Sequence, residues 1–223
     1  MLLTLPRISI VTGHYGSGKT NFAVNLALYL RKQHDRVAVV DLDIVNPYFR
    51  TADFSDLFSE NDIQIIAPTY ANTNLDIPAL PATVHRVFDD PEIHVVIDVG
   101  GDDAGAIALG QYAPRIKVSD YGMFYVINEK RYLTKSPAQA VELLREMEAV
   151  SRVPATAIVN NTNLGELTTR ELVLSSAYYA KAVCDETGLP LLCHCMDEKF
   201  LRDDGPEIMP IRIFVKKPWE EMN

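Results

Sequence analysis

Eight residues near the start of the chain combine glycines, a lysine and a threonine at a spacing suited to binding phosphate. They are Gly13, His14, Tyr15, Gly16, Ser17, Gly18, Lys19 and Thr20. Glycines let backbone N–H groups turn inward toward phosphate oxygens, and the start of a following helix adds the positive end of its dipole. A lysine in this place contacts the β- and γ-phosphates of a nucleoside triphosphate, and the threonine hydroxyl binds Mg²⁺. The sequence therefore predicts a nucleoside triphosphate site with magnesium at residues 13–20.

Three aspartates at the ends of apolar segments could complete this site. Asp98 follows Val95-Val96-Ile97, where a carboxylate can hold the water shell of magnesium. Asp41 and Asp43 end the apolar segment before them, and residues two apart on a strand share a face. One of this pair is expected in the magnesium shell, and the other is expected to position an attacking water. The alternatives are an Asp98 that caps the next loop and a solvated turn at 41–43.

The elements that must position these residues are short apolar runs alternating with helical patterns. Apolar strands without alternation, each followed by a helix, are typical of a parallel sheet covered on both faces. Strands are predicted at 7–12, 36–40, 63–67, 94–99, 122–128, 155–159, 189–193 and 211–215. Helices are predicted at 18–32, 78–88, 103–111, 136–150 and 168–186, with loop and short helix at 46–61. Ligands bind beyond the carboxyl ends of such strands, which brings the loops 13–20, 41–50, 98–103 and 160–165 into one crevice.

Composition limits the kinds of protein this chain can be. Its 223 residues are 48% hydrophobic and 23% charged, which predicts one globular domain over residues 1–223 without a linker. A net charge of −9 makes nucleic acid an unlikely partner. No apolar run reaches the roughly 18 residues of a membrane span. Because the start also lacks the features of a signal peptide, we expect a cytoplasmic protein with reduced cysteines.

These motifs together resemble the MinD/ParA/CobQ/CobB group of P-loop ATPases, also called the SIMIBI class. The resemblance runs from Arg7 to about Asp204. It implies a three-layer α/β/α P-loop NTPase domain with a mostly parallel sheet, which binds ATP with Mg²⁺. Val39-Val40-Asp41-Leu42-Asp43 resembles the group's motif after the second strand, and Asp98-Val99-Gly100-Gly101 resembles its Walker B and switch II stretch.

The resemblance also implies roles for single residues. Lys19 and Asp43 are the expected catalytic residues, with Asp43 activating water. Thr20, Asp41 and Asp98 are the residues expected around magnesium. Asn160 ends a strand similar to the one whose terminal asparagine reads the adenine ring, since an amide can donate to and accept from adenine's edge; an asparagine that only forms a turn is the alternative. Asn21, next to Thr20, is expected among the nucleotide-binding residues.

The chain departs from the group's pattern at two places. Many members carry a lysine just after the first glycine of the loop, and that lysine reaches across a dimer that encloses the nucleotides. His14 stands there in this chain, and histidine titrates near pH 6.5, so the dimer mechanism does not carry over. Arg50 could supply a charge instead, or be a surface residue. The Pro-x-Asp loop that closes over the base is replaced by Met196-Asp197-Glu198.

Three functions fit these features. The first is a magnesium-dependent ATPase that acts as a nucleotide-dependent switch on a protein partner or in a homodimer. The second is a small synthetase of the dethiobiotin or cobyrinate type, in which ATP phosphorylates a carboxylate. The third is a nucleotide-binding adaptor with little turnover. Two other motifs favour structural roles: Cys193-His194-Cys195 is interpreted as buried rather than metal-binding, and Asp102-Asp103 as a helix cap.

Overall fold

Parallel strands form the centre of the fold in the computed structural model, which describes residues 5–43, 51–67, 83–203, 205 and 207–214. Eight strands occur within these ranges. They are β1 (Ile8–Thr12), β2 (Val37–Leu42), β3 (Ile63–Ile66), β4 (His94–Val99), β5 (Tyr121–Ile127), β6 (Ala157–Asn160), β7 (Leu191–Asp197) and β8 (Ile208–Ile211). Their order across the sheet is β3-β2-β4-β1-β5-β6-β7-β8. Every neighbouring pair is parallel, so the prediction of a mostly parallel sheet is confirmed and even exceeded in the described part of the chain.

Helices cover both faces of this sheet and complete the three predicted layers. They are α1 (Lys19–Arg31), α2 (Ser55–Glu60), α3 (Thr83–Asp89), α4 (Asp103–Gly110), α5 (Ala113–Lys117), α6 (Pro137–Ser151), α7 (Arg170–Ser175) and α8 (Ala177–Thr187). The apolar sides of α1 and α2 pack on one face. Helices α3, α4, α5, α6 and α8 contribute to the core on the other face.

Alternation along the strands decides which residues meet α1. In β2, Val37 and Val39 belong to the core beneath α1, whereas Val40 belongs to the opposite core. Both faces are buried, which explains why the sequence shows continuous apolar runs instead of polar alternation. The same period of two places Asp41 on the α1 side, and in β4 it places Asp98 there as well, because Ile97 faces away. The fold therefore directs both aspartates toward the start of α1.

The helix starts follow their sequence signals closely. Ser136 forms a capping box with Gln139, and Pro137 occupies the first turn of α6, as predicted. The Asp102 carboxylate accepts a hydrogen bond from the backbone N–H of Gly105 at 3.0 Å, so the interpretation of Asp102 as a cap of α4 is confirmed. At the other end of a helix, Gly188 has a φ of +73° and closes α8.

The prediction and the structure differ in three elements. The single helix predicted at 168–186 is divided at Ser176, whose buried hydroxyl donates to the Val173 carbonyl and also takes a hydrogen bond from another part of the chain. The predicted last strand is β8, which ends at Ile211 rather than beginning there. Helix α5 was not predicted, although Pro114 marks its first turn.

Parts of three predicted elements lie outside the described residues, among them the end of the strand predicted at 211–215. The predicted helix at 78–88 is seen as α3 from Thr83 onward. The predicted loop and short helix at 46–61 is seen from Thr51 onward, where a 3-10 turn leads into α2. In the described part of the chain, no helix is long and apolar enough to cross a membrane.

Candidate functional site

The loop between β1 and α1 owes its shape to glycines in left-handed conformations. Gly16 has a φ of +76° and Gly18 a φ of +86°, a region that other residues rarely adopt. The Ser17 N–H donates to the His14 carbonyl at 3.0 Å, which closes the loop into a turn, and Gly18 immediately precedes α1. A side chain at Gly18 would also collide with the Asn161 amide. The sequence between Gly13 and Lys19 thus folds into a compact cradle at a helix N-terminus, which is a ready-made site for an anion.

Lys19 lies inside this cradle and faces an aspartate. Its Nζ atom is 3.6 Å from Oδ2 of Asp43, and both residues are almost fully buried. Asp43 follows β2 directly, and its N–H donates to an Asp41 carboxylate oxygen at 2.9 Å. Asp41 thereby fixes the backbone that carries Asp43. The structure brings the two predicted catalytic residues, Lys19 and Asp43, into contact.

Asp98 is the third acid of the site, and its pKa is raised. It is register partner of Asp41 across β2 and β4, and it is completely buried. Neither carboxylate oxygen has a hydrogen-bond partner of good geometry among the described residues. Burial raises the pKa of Asp98 to about 8, the Lys19 charge opposes this rise, and the Asp41 charge adds to it. The Thr20 hydroxyl also interacts with this carboxyl group and lowers its pKa, but a buried carboxylate beside two other acids is still a place where a cation would be stabilised.

The segment after β4 packs directly on the cradle. A Cβ atom at Gly101 would lie 2.7 Å from the Tyr15 nitrogen and 3.0 Å from the Gly13 carbonyl oxygen, so only glycine allows this approach. A Cβ atom at Gly100 would lie 3.2 Å from an Asp43 carboxylate oxygen. The two glycines therefore connect the Asp98 strand to both the cradle and Asp43.

His14 stands in the cradle beside Lys19 and is partly buried. Burial and the nearby Lys19 charge both lower the pKa of His14, so its ring is neutral at physiological pH. It adds no permanent positive charge to the cradle, in agreement with the expectation from the sequence.

This arrangement matches a known family. Residues 8–168 match the model of the CobQ/CobB/MinD/ParA nucleotide binding domain, which spans the cradle, the three aspartates and the strand that ends at Asn160. The chain belongs to this family. The predicted resemblance is therefore confirmed, and the cradle is the P-loop of a SIMIBI-class nucleotide-binding domain.

Solved structures share the fold at low sequence identity. FtsY from Mycoplasma mycoides has a TM-score of 0.54 and 16% identity, with 82% of this chain and 57% of that chain covered. Signal recognition particle 54 kDa protein from Aeropyrum pernix K1, in complex with GDP, has a TM-score of 0.56 and 22% identity, with 85% and 41% covered. FtsY from Thermotoga maritima has a TM-score of 0.55 and 16% identity, with 90% and 65% covered. This chain thus spans less than two thirds of the length of each, and a comparison with curated proteins found no match.

Asn160 makes different contacts from those that the family pattern led us to expect. Its amide nitrogen donates to the Ser176 hydroxyl and to Nδ1 of His194, both at 2.8 Å, and its oxygen accepts from the Thr162 hydroxyl at 2.8 Å. The side chain is completely buried, and burial lowers the pKa of His194, which keeps that ring a neutral acceptor. These hydrogen bonds place the Asn160 amide in the core of the described structure, and a contact of this residue with a nucleotide base stays a prediction.

The neighbouring Asn161 faces the P-loop instead. Its amide nitrogen donates to the Ser17 carbonyl at 2.8 Å. Alternation explains the difference: Val159 packs beneath α1 and Ile158 on the opposite face, so Asn160 points away from α1 and Asn161 toward it. Sequence reasoning missed Asn161, although strand parity would have favoured it over Asn160.

Asn21 also has partners other than those predicted. Its amide nitrogen donates to the Arg212 carbonyl at 3.0 Å, and its oxygen accepts from the Phe214 N–H at 2.8 Å. Asn25, one turn later on α1, accepts from the Arg212 N–H at 2.8 Å and donates to its carbonyl at 2.9 Å. The Asn21 side chain thus holds the segment after β8 against the first turns of α1, and its contact with the nucleotide stays a prediction.

The remaining predicted features lie at the edge of the site or outside the described residues. Asp197, at the end of β7, accepts from the Lys199 N–H and pairs with the Lys199 ammonium at 2.9 Å. Cys193 and Cys195 are buried, as predicted, and burial raises the pKa of the Cys195 thiol. Arg50 belongs to the residues that the structure does not describe.

The chemistry of the site follows from its donors and acids. The P-loop offers backbone N–H groups, Lys19 and the helix dipole to phosphates, and Thr20 and Asp98 offer oxygens to a hard cation. The described residues contain no cluster of three or more histidine, cysteine or acidic side chains arranged to hold a metal alone.

Proposed function

We propose that this chain binds ATP with Mg²⁺ and hydrolyses it, and that the change between nucleotide states switches its contact with a protein partner or with a second copy of the chain. The observation that supports this most is the contact of Lys19 with Asp43 at 3.6 Å inside the P-loop. Phosphate competes for the same lysine, so nucleotide binding would change the surroundings of the Asp43 carboxylate. Asp43 lies next to Gly100, on the segment that packs on the P-loop.

Magnesium fits the acidic side of this site. The two Asp98 oxygens are buried without good hydrogen-bond partners among the described residues. Thr20, Asp98 and Asp41 are the residues that would hold the ion or its water shell. When bound, magnesium supplies positive charge that neutralises phosphate oxygens. The cation would also lower the free energy needed to ionise the buried Asp98, because the carboxylate would gain a partner of opposite charge.

Asp43 is the proposed positioning group for the attacking water. It is 2% exposed, and the adjacent Asp41 holds its backbone N–H. Once Lys19 has moved to phosphate, the Asp43 carboxylate would accept a proton from the attacking water. Lys19 and Asp43 therefore exchange partners in the proposed cycle, which is the physical basis of a switch.

ATP is proposed as the nucleotide from the family membership of the chain, and guanine is the alternative base. The solved structure of the 54 kDa protein from Aeropyrum pernix K1 contains GDP. Near the P-loop, Asn161 and Asn163 carry amides close to Gly18. Competition of ATP and GTP for the same site, measured with a fluorescent nucleotide, decides between the two bases. Tighter binding of GTP would overturn the choice of ATP.

A synthetase remains the second candidate because of one observation. His14 replaces the lysine that supports the dimer mechanism in many family members, and the neutral ring offers no substitute charge. In this function ATP phosphorylates the carboxylate of a small substrate instead of passing its phosphoryl group to water. Turnover that requires a small carboxylic acid would favour the synthetase, whereas turnover of ATP alone favours the switch.

The experiment that tests the proposed function uses Asp43→Asn. Asparagine keeps the size of the side chain and removes the base, so ATP affinity should stay within a few-fold while turnover falls by about 100-fold or more. Asp103→Asn is the matched control, since Asp103 is exposed at the start of α4. Calorimetry measures the affinity and phosphate release measures turnover. Full turnover by the Asp43 variant would refute the role of Asp43.

A further inference from the structure

A second cation contacts the P-loop from outside the motif. Arg131 follows β5, and its Nε–H donates to the Gly16 carbonyl at 2.7 Å. The guanidinium lies against the glycine, because a Cβ atom at Gly16 would be 3.3 Å from Nε and 3.5 Å from Cζ of Arg131. The φ of +76° favours glycine at this position, and the absence of a side chain lets the guanidinium lie close to the backbone. Nothing in the sequence of the loop after β5 indicated this contact.

The loop that carries Arg131 is held firmly by buried hydrogen bonds. Asn128 is completely buried, and its side-chain oxygen accepts from the Lys130 N–H at 3.0 Å. Its carbonyl accepts from the Thr134 hydroxyl at 2.7 Å and from the Arg131 N–H at 3.2 Å. The Thr162 hydroxyl accepts from the Glu129 N–H at 3.1 Å, which joins this loop to the one after β6. Arg131 is thus presented by a braced turn rather than by a free surface segment.

The rest of the guanidinium is available. In the part of the chain that the structure describes, the Arg131 side chain uses only Nε in hydrogen bonds, and it forms no ion pair with a carboxylate. Its neighbour Lys130, by contrast, pairs with Glu129 at 3.0 Å. An arginine that keeps its terminal N–H groups unpaired at the edge of an anion cradle, in a chain of net charge −9, is placed to receive an anion.

We propose that the terminal N–H groups of Arg131 bind the terminal phosphate of the nucleotide triphosphate in the P-loop of the same chain. Arginine suits this task because its planar fork donates two parallel hydrogen bonds to phosphate oxygens, and its charge is permanent. Lys19 would contact the phosphates from within the P-loop, and Arg131 would add a second permanent charge from its position beside Gly16. The inference rests on the proposed function for the identity of the ligand.

This contact has a consequence for turnover. Charge spreads over the oxygens of the transferred phosphoryl group in the transition state, and an arginine supplied in the same chain stabilises it. Arg131 would then carry out, without a partner subunit, the neutralisation that a neutral His14 cannot provide. Turnover by a monomer is the corresponding expectation.

The test compares Arg131→Ala, Arg131→Lys and the control Arg145→Ala, since Arg145 is an exposed arginine on α6. Calorimetry measures the affinities for Mg-ATP and Mg-ADP, and phosphate release measures turnover. We expect Arg131→Ala to weaken ATP binding about 10- to 100-fold and ADP binding less than about 3-fold, and to reduce turnover by at least about 100-fold. Arg131→Lys keeps the charge but loses the planar fork, so its ATP affinity and its turnover should lie between those of Arg131→Ala and the parent protein. Arg145→Ala should match the parent protein.

Three outcomes would overturn the inference. Unchanged ATP affinity and turnover in Arg131→Ala would show that the arginine only covers Gly16. An equal loss of ATP and ADP affinity would show that it only shapes the loop. Loss of the folded state in thermal unfolding would transfer the test to Arg131→Lys, and a parent-like ratio of ATP to ADP affinity there would contradict the phosphate contact. A parent protein that binds ATP without hydrolysing it would refute the proposed function alone, because the affinity ratio is still measurable.

Discussion

The strands of the parallel sheet all begin on one side and end on the other, and we call these two sides the amino edge and the carboxyl edge. Charged side chains have different surroundings at the two edges. At the amino edge, Arg7 precedes β1 and donates to the carbonyls of Val87, Asp90 and Ile93 at 2.9, 3.0 and 3.2 Å. A further hydrogen bond reaches the Phe88 carbonyl at 3.3 Å. These carbonyls lie at and after the end of α3, where a positive charge also complements the helix dipole. The guanidinium is satisfied by backbone and leaves little capacity for a ligand.

At the carboxyl edge, the ionisable side chains of Asp98 and Lys19 are buried. The two Asp98 oxygens have no partner of good geometry among the described residues, and the Lys19 ammonium is 3.6 Å from Asp43. Burying a charged group without such partners costs free energy. The difference indicates that the hydrogen bonds at the amino edge stabilise the fold, whereas the groups at the carboxyl edge are suited to a ligand that supplies the missing partners.

The amino edge also has a buried side-chain atom without a hydrogen-bond partner in the described part of the chain, on His94. Nδ1 of His94 is buried without a hydrogen bond in the described part of the chain, and its ring stacks on His34 with centroids 3.5 Å apart. Burial lowers the pKa of His94, and the His34 and Arg7 charges lower it further, against the effect of Asp120. The ring is therefore neutral at pH 7 and stays neutral as the pH rises, whereas Asp98 ionises as the pH rises through about 8, and an unpaired neutral atom costs less than an unpaired charge.

The largest effect on stability is expected at the amino edge. Arg7→Met removes a guanidinium with four backbone acceptors and should lower the free energy of unfolding by about 2–4 kcal/mol. Nucleotide affinity should remain unchanged, because Arg7 lies at the far edge of the sheet. The control is Arg115→Met, which removes an exposed ion pair between Arg115 of α5 and Asp89 of α3 and should cost less than about 1 kcal/mol. Denaturant unfolding and calorimetry measure the two quantities, and a loss of nucleotide affinity in Arg7→Met would break the comparison.

A smaller effect of opposite sign is expected at the carboxyl edge. Asp98→Asn removes a carboxyl group whose pKa is raised to about 8, so it should stabilise the nucleotide-free protein by about 1–3 kcal/mol at pH 8.5. The raised pKa means that the parent protein loses stability as pH rises from about 4 to about 8, since the unfolded chain ionises first. The advantage of the variant should therefore grow over that range and vanish near pH 4.

Unfolding curves in EDTA at several pH values measure this difference. The variant should at the same time lose the magnesium dependence of its ATP affinity. A variant less stable than the parent at pH 8.5 would mean that the Asp98 carboxylate is satisfied in the empty site, which would contradict the contrast between the two edges.

Much of the fold could be predicted from the sequence because its strands are buried on both faces. Continuous apolar segments such as the one before Asp98 identify strands regardless of tertiary detail. Lys19 and Asp43 were both predicted because each has its own signal in the sequence: Lys19 belongs to the motif at 13–20, and Asp43 follows the end of the second predicted strand. The division of the last long helix was not predictable, since Ser176 breaks it through a hydrogen bond that Asn160 donates from another element. Arg131 was beyond sequence reasoning for the same reason: its partner, Gly16, is 115 residues away in the chain.

The central claim is that the P-loop binds a nucleoside triphosphate through Lys19, and calorimetric titration with Mg-ATP tests it most directly. The control is Lys32→Ala, which changes an exposed lysine just after the far end of α1. Lys19→Ala should weaken binding by at least about 100-fold, because a buried charge-assisted contact to phosphate is lost, while Lys32→Ala binds like the parent protein. Equal affinity of Lys19→Ala and the parent protein would contradict the account.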